Sequence, residues 1–391
     1  MLAPLLPATE ARKHLVCAVM DLPVMPPVEP MLAKAMTWDQ LEQATHGEQF
    51  VFEPKWDGFR CIVFRDGGEV ELQSRNCRSL TRYFPEVVSA IRDHLPERCV
   101  IDGEIVVAGP DGLDFDALSE RIHPAQSRVE MLARTCPASF VGFDALALGD
   151  AELTGRPFAE RRRALEEVAG GRAESVKVTP TTNDPAVARD WFVRFEGAGL
   201  DGVVAKSVTL KYLPSKREMI KVKHRRSGEF VVGGFRWYRA DTSMVGSLML
   251  GLYDGDNLRP VGVIGSFPVT QRRSLVAYLA PYTNPSRHQW VLGGSDDRSV
   301  SEGGEGDQLQ RGRSRPAAPT SRWNAGKDTS FEALRPDLVV EAEFEQLQGG
   351  RLRHTARFLR WRPDRDPTSA TFDQLDVAVP SLLSDVFSAG A

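Results

Sequence analysis

The sequence lacks most of the marks by which a function is quickly assigned. Across 391 residues there is no GxxxxGK[ST] phosphate loop, no GxGxxG followed by a strand-spaced acid, no HExxH and no GxSxG. P-loop hydrolysis, a Rossmann dinucleotide site, zincin chemistry and a nucleophile-elbow hydrolase therefore have no support. Cysteine is scarce and scattered: Cys17, Cys61, Cys77, Cys99 and Cys136 never form a CxxC pair. A disulfide framework or structural zinc is not expected, and a reducing cytoplasm suits such thiols best. No apolar run approaches the roughly 18 residues of a membrane span, so no membrane partner is expected. The N-terminal MLAPLLPATEARKHLVCAVMDLPVMPP has no basic stretch leading into a sustained apolar core, so it reads as a loose leader, not a signal peptide. Internal repeats are also missing.

An excess of positive charge is absent too. With 49 Lys and Arg against 53 Asp and Glu the net charge is −4, which alone argues against a nucleic-acid protein. The distribution matters more. Between Lys206 and Arg239 there are ten Lys or Arg against two acids, and between Arg351 and Arg365 six Arg against one Asp. Such clusters can build a phosphate-binding surface on an acidic chain, although solvated charged faces would look the same.

What is present is a soluble globular composition, 42% hydrophobic and 26% charged, long enough for two domains. Residues 50–65 read as strand, Asp57-Gly58 turn, strand; 70–76, 97–108, 139–148 and 199–207 read as further strands. Helices are expected over 81–94 and near 157–169 and 184–197. This is α+β and not a regular βαβ series. From about residue 228, short strands broken by Gly and Asp suggest a small barrel. The polar, Gly/Ser/Pro-rich 293–321 is expected to be a disordered insertion. The expected organisation is a flexible leader 1–20, a first domain 21–227, a barrel domain 228–370 carrying that insertion, and a tail 371–391.

Several short patterns could carry chemistry. Lys55-Trp56-Asp57-Gly58-Phe59-Arg60 puts a lysine at a strand end beside a tight turn. A lysine amine attacks phosphorus only when deprotonated, so it needs a tuned site; a surface turn produces the same pattern by chance. In VIDGEIVVA, Asp102 and Glu104 share one face of a strand, and Asp201-Gly202 precedes another. Carboxylates placed so suit Mg²⁺ held by oxygens, though solvated strand-end acids would look alike. Lys221 and Lys223 also share a face, where two ammonium groups could neutralise a phosphoryl group or merely protect an edge strand. Arg357, Arg360 and Arg362, with Asp364, surround aromatics in RFLRWRPDR and form either a phosphate clamp or a basic surface strand. Phe143 could stack on a base or sit in the core.

Taken together these segments resemble the covalent nucleotidyltransferase superfamily, and within it the ATP-dependent DNA ligases. The nearest likeness is to the small actinobacterial ligase C group and the ligase domain of the multifunctional end-joining ligases. It rests on EPKWDGFR (53–60), SRN (74–76), DGEIVV (102–107), FVGFDAL (140–146), DGVVAK (201–206), YLPSKREMIKVK (212–223), SRWNAGKD (321–328), LRPDLVVEAEF (334–344) and RFLRWRPDR (357–365), in that order along nearly the whole chain. The resemblance implies an adenylation (nucleotidyltransferase) domain followed by a C-terminal OB-fold β-barrel. It implies that Lys55 carries AMP, that Glu53 lies near the adenine and that Phe143 is its stacking platform. Arg60 would lie near the ribose and the 5′-phosphate, Arg75 on the nicked strand, and Glu104 on ribose or metal. Asp201 would be a second metal ligand. Arg217, Lys221 and Lys223 would contact the nucleotide, the two lysines at its α-phosphate; Arg357, Arg360, Arg362 and Asp364 form the last motif.

The implied activity is ATP-dependent sealing of nicks with 3′-hydroxyl and 5′-phosphate ends, through lysyl-AMP and then adenylated DNA. ATP and Mg²⁺ (or Mn²⁺) are the implied cofactors and nicked duplex DNA the partner. A repair polymerase or end-binding factor is a further possible partner of a monomeric enzyme. Departures from the family pattern are Asp201 where Glu is usual, Arg365 where Lys is usual, and the length of the 293–321 insertion. An RNA ligase, a capping guanylyltransferase or a non-catalytic nucleic-acid binder with a relic site are the competing readings.

Overall fold

The computed structural model describes residues 20–45, 47–110, 112–169, 174–239, 241–283, 288–290, 330–345, 347–348, 350–375 and 382–388. Most of the leader, the 293–321 insertion and SRWNAGKD (321–328) lie outside the described residues. The chain divides into two compact units, Met1–His224 with Ala378–Ala391, and Arg225–Val377.

The first unit is built on two sheets. One runs Leu32–Ala35, Arg217–Lys223, Gly202–Ser207, Phe50–Lys55, its first pair parallel and the others antiparallel. The larger sheet runs Glu69–Ser74, Phe59–Asp66, Arg98–Gly109, Ala138–Leu148, Ala151–Glu152, with short strands Gly112–Leu113 and Val176–Val178 added at its side. Strand alternation sets the layers. Ile62, Phe64, Val100 and Leu146 meet Met31, Met219 and Tyr212 in one core. The intervening Cys61, Val63, Cys99 and Ile101 face the opposite way, onto helix Pro85–His94. Helices Trp38–Ala44 and Pro185–Arg194 cover the back of the smaller sheet, where Phe52, Val203, Ile220 and Val222 point.

The helix expected over 81–94 begins with a single 3₁₀ turn, Thr81–Tyr83, and its α-helical part starts at Pro85. Proline at the first helical position costs no hydrogen bond, because that N–H has no intrahelical acceptor.

In the second unit the sheet order is Asn257–Ile264, Asp241–Asp254, Arg226–Tyr238, Val339–Phe344, Arg357–Trp361, with Glu332–Ala333 pairing alongside Arg226–Tyr238. Helix Val269–Leu279 packs on it, and Phe230, Leu248, Leu250, Leu252 and Val340 lie at the centre of its core. This OB-fold-like sheet is a half-barrel, which corrects the closed barrel expected from the sequence. Among the described residues its two edges meet at a lone bridge, Ile264 with Ala356, where the Ala356 N–H donates to Val263 O at 2.8 Å. Strand Arg351–Leu352 pairs instead with Leu347–Gln348, in a separate two-stranded ladder outside this sheet.

Candidate active site

The architecture brings strand ends together at one cavity. Gly202 pairs in register with Lys55 on one side and with Lys223 on the other, so both lysines flank Asp201. Only glycine fits there: its φ is +138°, and a Cβ would lie 2.0 Å from Val222 O. Gly58 serves the same end in the turn after Lys55, where a Cβ would meet Ile105 O at 2.2 Å. The dipeptides Asp57-Gly58 and Asp201-Gly202 are thus close backbone approaches that fix where the lysines emerge.

The resulting cavity holds about 220 Å³ and is lined by Glu53, Lys55, Arg60, Arg75, Glu104, Phe143, Lys206, Arg217, Lys221 and Lys223, among others. Nine of the residues singled out from sequence therefore converge. Asp201 joins them by contact, its Oδ2 2.6 Å from Lys55 Nζ and 3.3 Å from Lys223 Nζ. Burial alone would raise the Asp201 pKa, but these two ammonium groups outweigh it and hold the carboxyl below its ordinary value.

Glu104 behaves oppositely. Burial pushes its pKa up to about 7, and the Arg60 and Lys55 charges offset only part of that. Glu53 is 3% exposed and also shifted upward by burial, with Lys206 and Arg162 pulling it back. Its Oε2 takes an ion pair from Lys206 at 2.8 Å, while Oε1 has no hydrogen-bond partner and lies 3.8 Å from Arg162.

Three arrangements were not foreseen from the sequence. Asp102, fully buried, holds Arg60 in a two-pronged contact at 2.6 Å on each oxygen and accepts from the Tyr212 hydroxyl at 2.7 Å. It is therefore a positioning acid for Arg60, a pairing that strand alternation alone does not reveal. Lys206 is 1% exposed and sits against Glu53 and the rings of Phe143 and Phe158. This removes it from the DNA-gripping cations counted over 206–239. Arg60 lies 4.4 Å over the ring of Phe143, which is buried and lines the cavity wall.

The last-motif residues belong to the second unit. Arg360 pairs with Glu341 at 2.7 Å, Arg357 with Glu343 at 3.4 Å, and Arg362 with Glu229 and with Asp364 at 2.7 Å. The Arg362 hydrogen bond, ahead of every other influence, holds Asp364 down at about 2. These arginines are therefore laid along a row of acids, which lowers the positive charge the segment presents.

A strand-end lysine clasped by an acid, a pair of lysines two strands away in the same sheet and an aromatic wall are the parts a covalent nucleotidyl transfer needs. Residues 30–223 match the family model "ATP dependent DNA ligase domain", and residues 241–365 match "ATP dependent DNA ligase C terminal region". The chain is 52% identical to DNA ligase C of Mycobacterium tuberculosis over 94% of its own length and 99% of that protein's. The chain belongs to the ATP-dependent DNA ligases.

A second relative, DNA ligase C2 of Mycolicibacterium smegmatis, is 51% identical over 91% of this ligase and 96% of the relative. In fold, the ligase is similar to a solved Lig E DNA ligase structure with TM-score 0.51, covering 85% of this chain and 99% of that one at 16% identity. It is an ATP-dependent enzyme that seals nicks through covalent adenylation, as the ligase C family does. Among the described residues no helix is long and apolar enough to cross a membrane.

Proposed function

We propose that Lys55 is the residue that carries AMP and that the cavity around it is the ATP site. The observation that carries this is the clasp of Lys55 and Lys223 on Asp201 at the edge of a cavity that Glu53, Phe143 and Lys221 also line. In the first step the Lys55 ammonium gives up a proton to solvent and its amine attacks the α-phosphorus of ATP; an N–P bond forms and the bond to pyrophosphate breaks. Asp201, held in its ionised form, orients the amine. Lys221 and Lys223 face the phosphoryl group and offset charge that grows on it. Phe143 offers a ring face to the base, and the free Glu53 Oε1 an acceptor for its amino group.

Among the described residues no group of three His, Cys, Asp or Glu side chains forms a ready metal cage. Mg²⁺ more often takes one or two carboxylates together with substrate phosphates and water. Glu104, whose charge burial leaves undercompensated, fits that donor set, with Asp201 as second ligand. Bound there, Mg²⁺ (or Mn²⁺) would neutralise phosphate charge.

AMP then passes from Lys55 to the 5′-phosphate of a nick, and the 3′-hydroxyl attacks with AMP leaving. Arg60, fixed by Asp102, and the exposed Arg75 at the cavity rim are placed to meet the 5′-phosphate strand. Exposed Lys211, Lys216 and Arg217 and the arginines of 351–365 supply phosphate contacts to the duplex. Arg357, Arg360, Arg362 and Asp364 act on the leaving pyrophosphate when the second unit closes, and the unit then moves away to admit DNA. A crosslink that ties the second unit to the first and leaves both steps at full rate would refute that motion. We also assign the enzyme to a reducing cytoplasm: among the described residues Cys61, Cys77, Cys99 and Cys136 are thiols and not disulfides. It acts as a monomer, and a repair polymerase or end-binding factor would bring it to its DNA.

The test is a pulse-chase with α-labelled ATP and Mg²⁺, followed by nicked DNA or its all-RNA equivalent. Label that binds wild type but not Lys55→Ala, and leaves on chase as DNA is sealed, is the expected result. Sealing of RNA in place of DNA would overturn the substrate assignment, and no label on stripped protein the whole reading.

A further inference from the structure

Trp56 directly follows the lysine, and its indole is 5% exposed. Its N–H donates to Thr179 Oγ1 at 2.8 Å, and its ring packs with Val106, Val141, Trp191 and Leu200. Another side is covered from far along the sequence, by helix Leu383–Ser388 in the segment expected to be a tail. Phe387 stacks on Trp56 with ring centroids 5.1 Å apart and planes 23° from parallel. Val386 is fully buried in the same cluster, Leu383 packs at its margin, and the Lys177 ammonium lies 4.5 Å over the Phe387 ring.

Two features make this more than incidental packing. A six-residue helix has no stability of its own, so it forms because it docks. The helix also belongs to the first unit although the whole of Arg225–Val377 intervenes in sequence. The side chains it commits converge on the residue next to Lys55. Neither Val386 nor Phe387 lines the cavity, so the helix touches Trp56 without lining the ATP pocket.

We propose that the C-terminal helix positions the nucleophile. Phe387 and Val386 hold the Trp56 ring, and through the Trp56 backbone they fix where the Lys55 amine stands when it meets the α-phosphorus. This rests on Lys55 being the nucleophile. Small displacements of a reacting group are costly in rate, so loss of the cover slows the first step. Sealing of a nick that already bears AMP involves no attack by Lys55 and is spared.

The test compares Phe387→Ala, Phe387→Trp, a chain ending at Val377 and Lys55→Ala, each confirmed folded by circular dichroism at the assay temperature. The rate of AMP transfer to protein is measured against ATP concentration, and the rate of sealing on a pre-adenylated nick beside it. Losing one aromatic contact predicts a fall in the saturated first-step rate of roughly two- to tenfold for Phe387→Ala. The KM for ATP and the sealing of the pre-adenylated nick should stay within about twofold of wild type. Phe387→Trp should restore the first step.

An unchanged first step in Phe387→Ala overturns the proposal, as does an equal fall in both reactions, which would mark mere structural support. If the shortened chain does not fold, the point variants decide. Lys55→Ala that still takes label would sink the underlying reading. A dead Lys55→Ala beside a fully active Phe387→Ala would sink this inference alone.

Discussion

Neutralising Glu104 should make the ligand-free enzyme more stable while disabling it. Burial raises the Glu104 pKa from the ordinary 4.5 to about 7. At about 1.36 kcal/mol per pH unit, ionising it in the folded chain costs on the order of 3 kcal/mol. The cavity admits water, so about 1–3 kcal/mol is the realistic range. The sign follows from proton linkage. Between pH 4.5 and about 7 the folded chain keeps a proton that the unfolded chain has released, so stability falls as pH rises through that window. Above it the full cost is present, and below it there is none. Glu104→Gln removes the titration. Denaturant unfolding without nucleotide or metal should show the variant more stable by about 1–3 kcal/mol at pH 8 and level with wild type near pH 4.5. Adding Mg²⁺ and ATP should favour wild type, because only the carboxylate offers a charge to the metal. A variant less stable at pH 8, or one stabilised equally at both pH values, would refute the reasoning.

Other outcomes follow from the same geometry. Asp102→Asn leaves Arg60 without its counter-ion in a buried setting, so the fold should lose about 3 kcal/mol in denaturant unfolding. Transfer of AMP to a nick should fall more than lysine adenylation does. Glu53→Gln keeps the shape but leaves Lys206 uncompensated; KM for ATP should rise by about tenfold and discrimination against GTP should weaken, read by label transfer from either nucleotide. Binding to nicked duplex should weaken steeply between 50 and 200 mM salt, measured by anisotropy. Lys211→Ala with Lys216→Ala should flatten that slope by about two; a slope unchanged from wild type would remove both lysines from the interface.

Much of the site was legible because strand alternation and Asp-Gly turns are local properties. KWDG, DGE, DG and KVK each announce a strand end or a polar face, and the fold brings those faces to one cavity. What was not legible depends on partners distant in sequence. Period two places Asp102 beside Glu104, but only the packed sheets show that Arg60 and Tyr212 claim Asp102 and leave Glu104 to the cavity. A count of basic residues treats Lys206 like Lys211, yet one is buried against Glu53 and the other is exposed. The acids along Arg357–Arg362 come from another strand and from Glu229, so the segment looks more basic in sequence than it is in the sheet. Gly and Asp signals marked where strands of the second unit lie but not their lengths: Arg226–Tyr238 and Asp241–Asp254 run 13 and 14 residues, through glycines read as breaks. The helix Leu383–Ser388 has no sequence signal of its own, because its stability comes entirely from the surface it covers.

The most direct test of the account is to find where AMP is attached. The enzyme is loaded with ATP and Mg²⁺, digested, and the modified peptide sequenced by mass spectrometry under conditions that preserve a phosphoramidate. The account predicts AMP on Lys55 alone, with none on Lys206, Lys221 or Lys223. AMP on Lys221 or Lys223, or on none of the cavity lysines in a preparation that seals nicks, would contradict it.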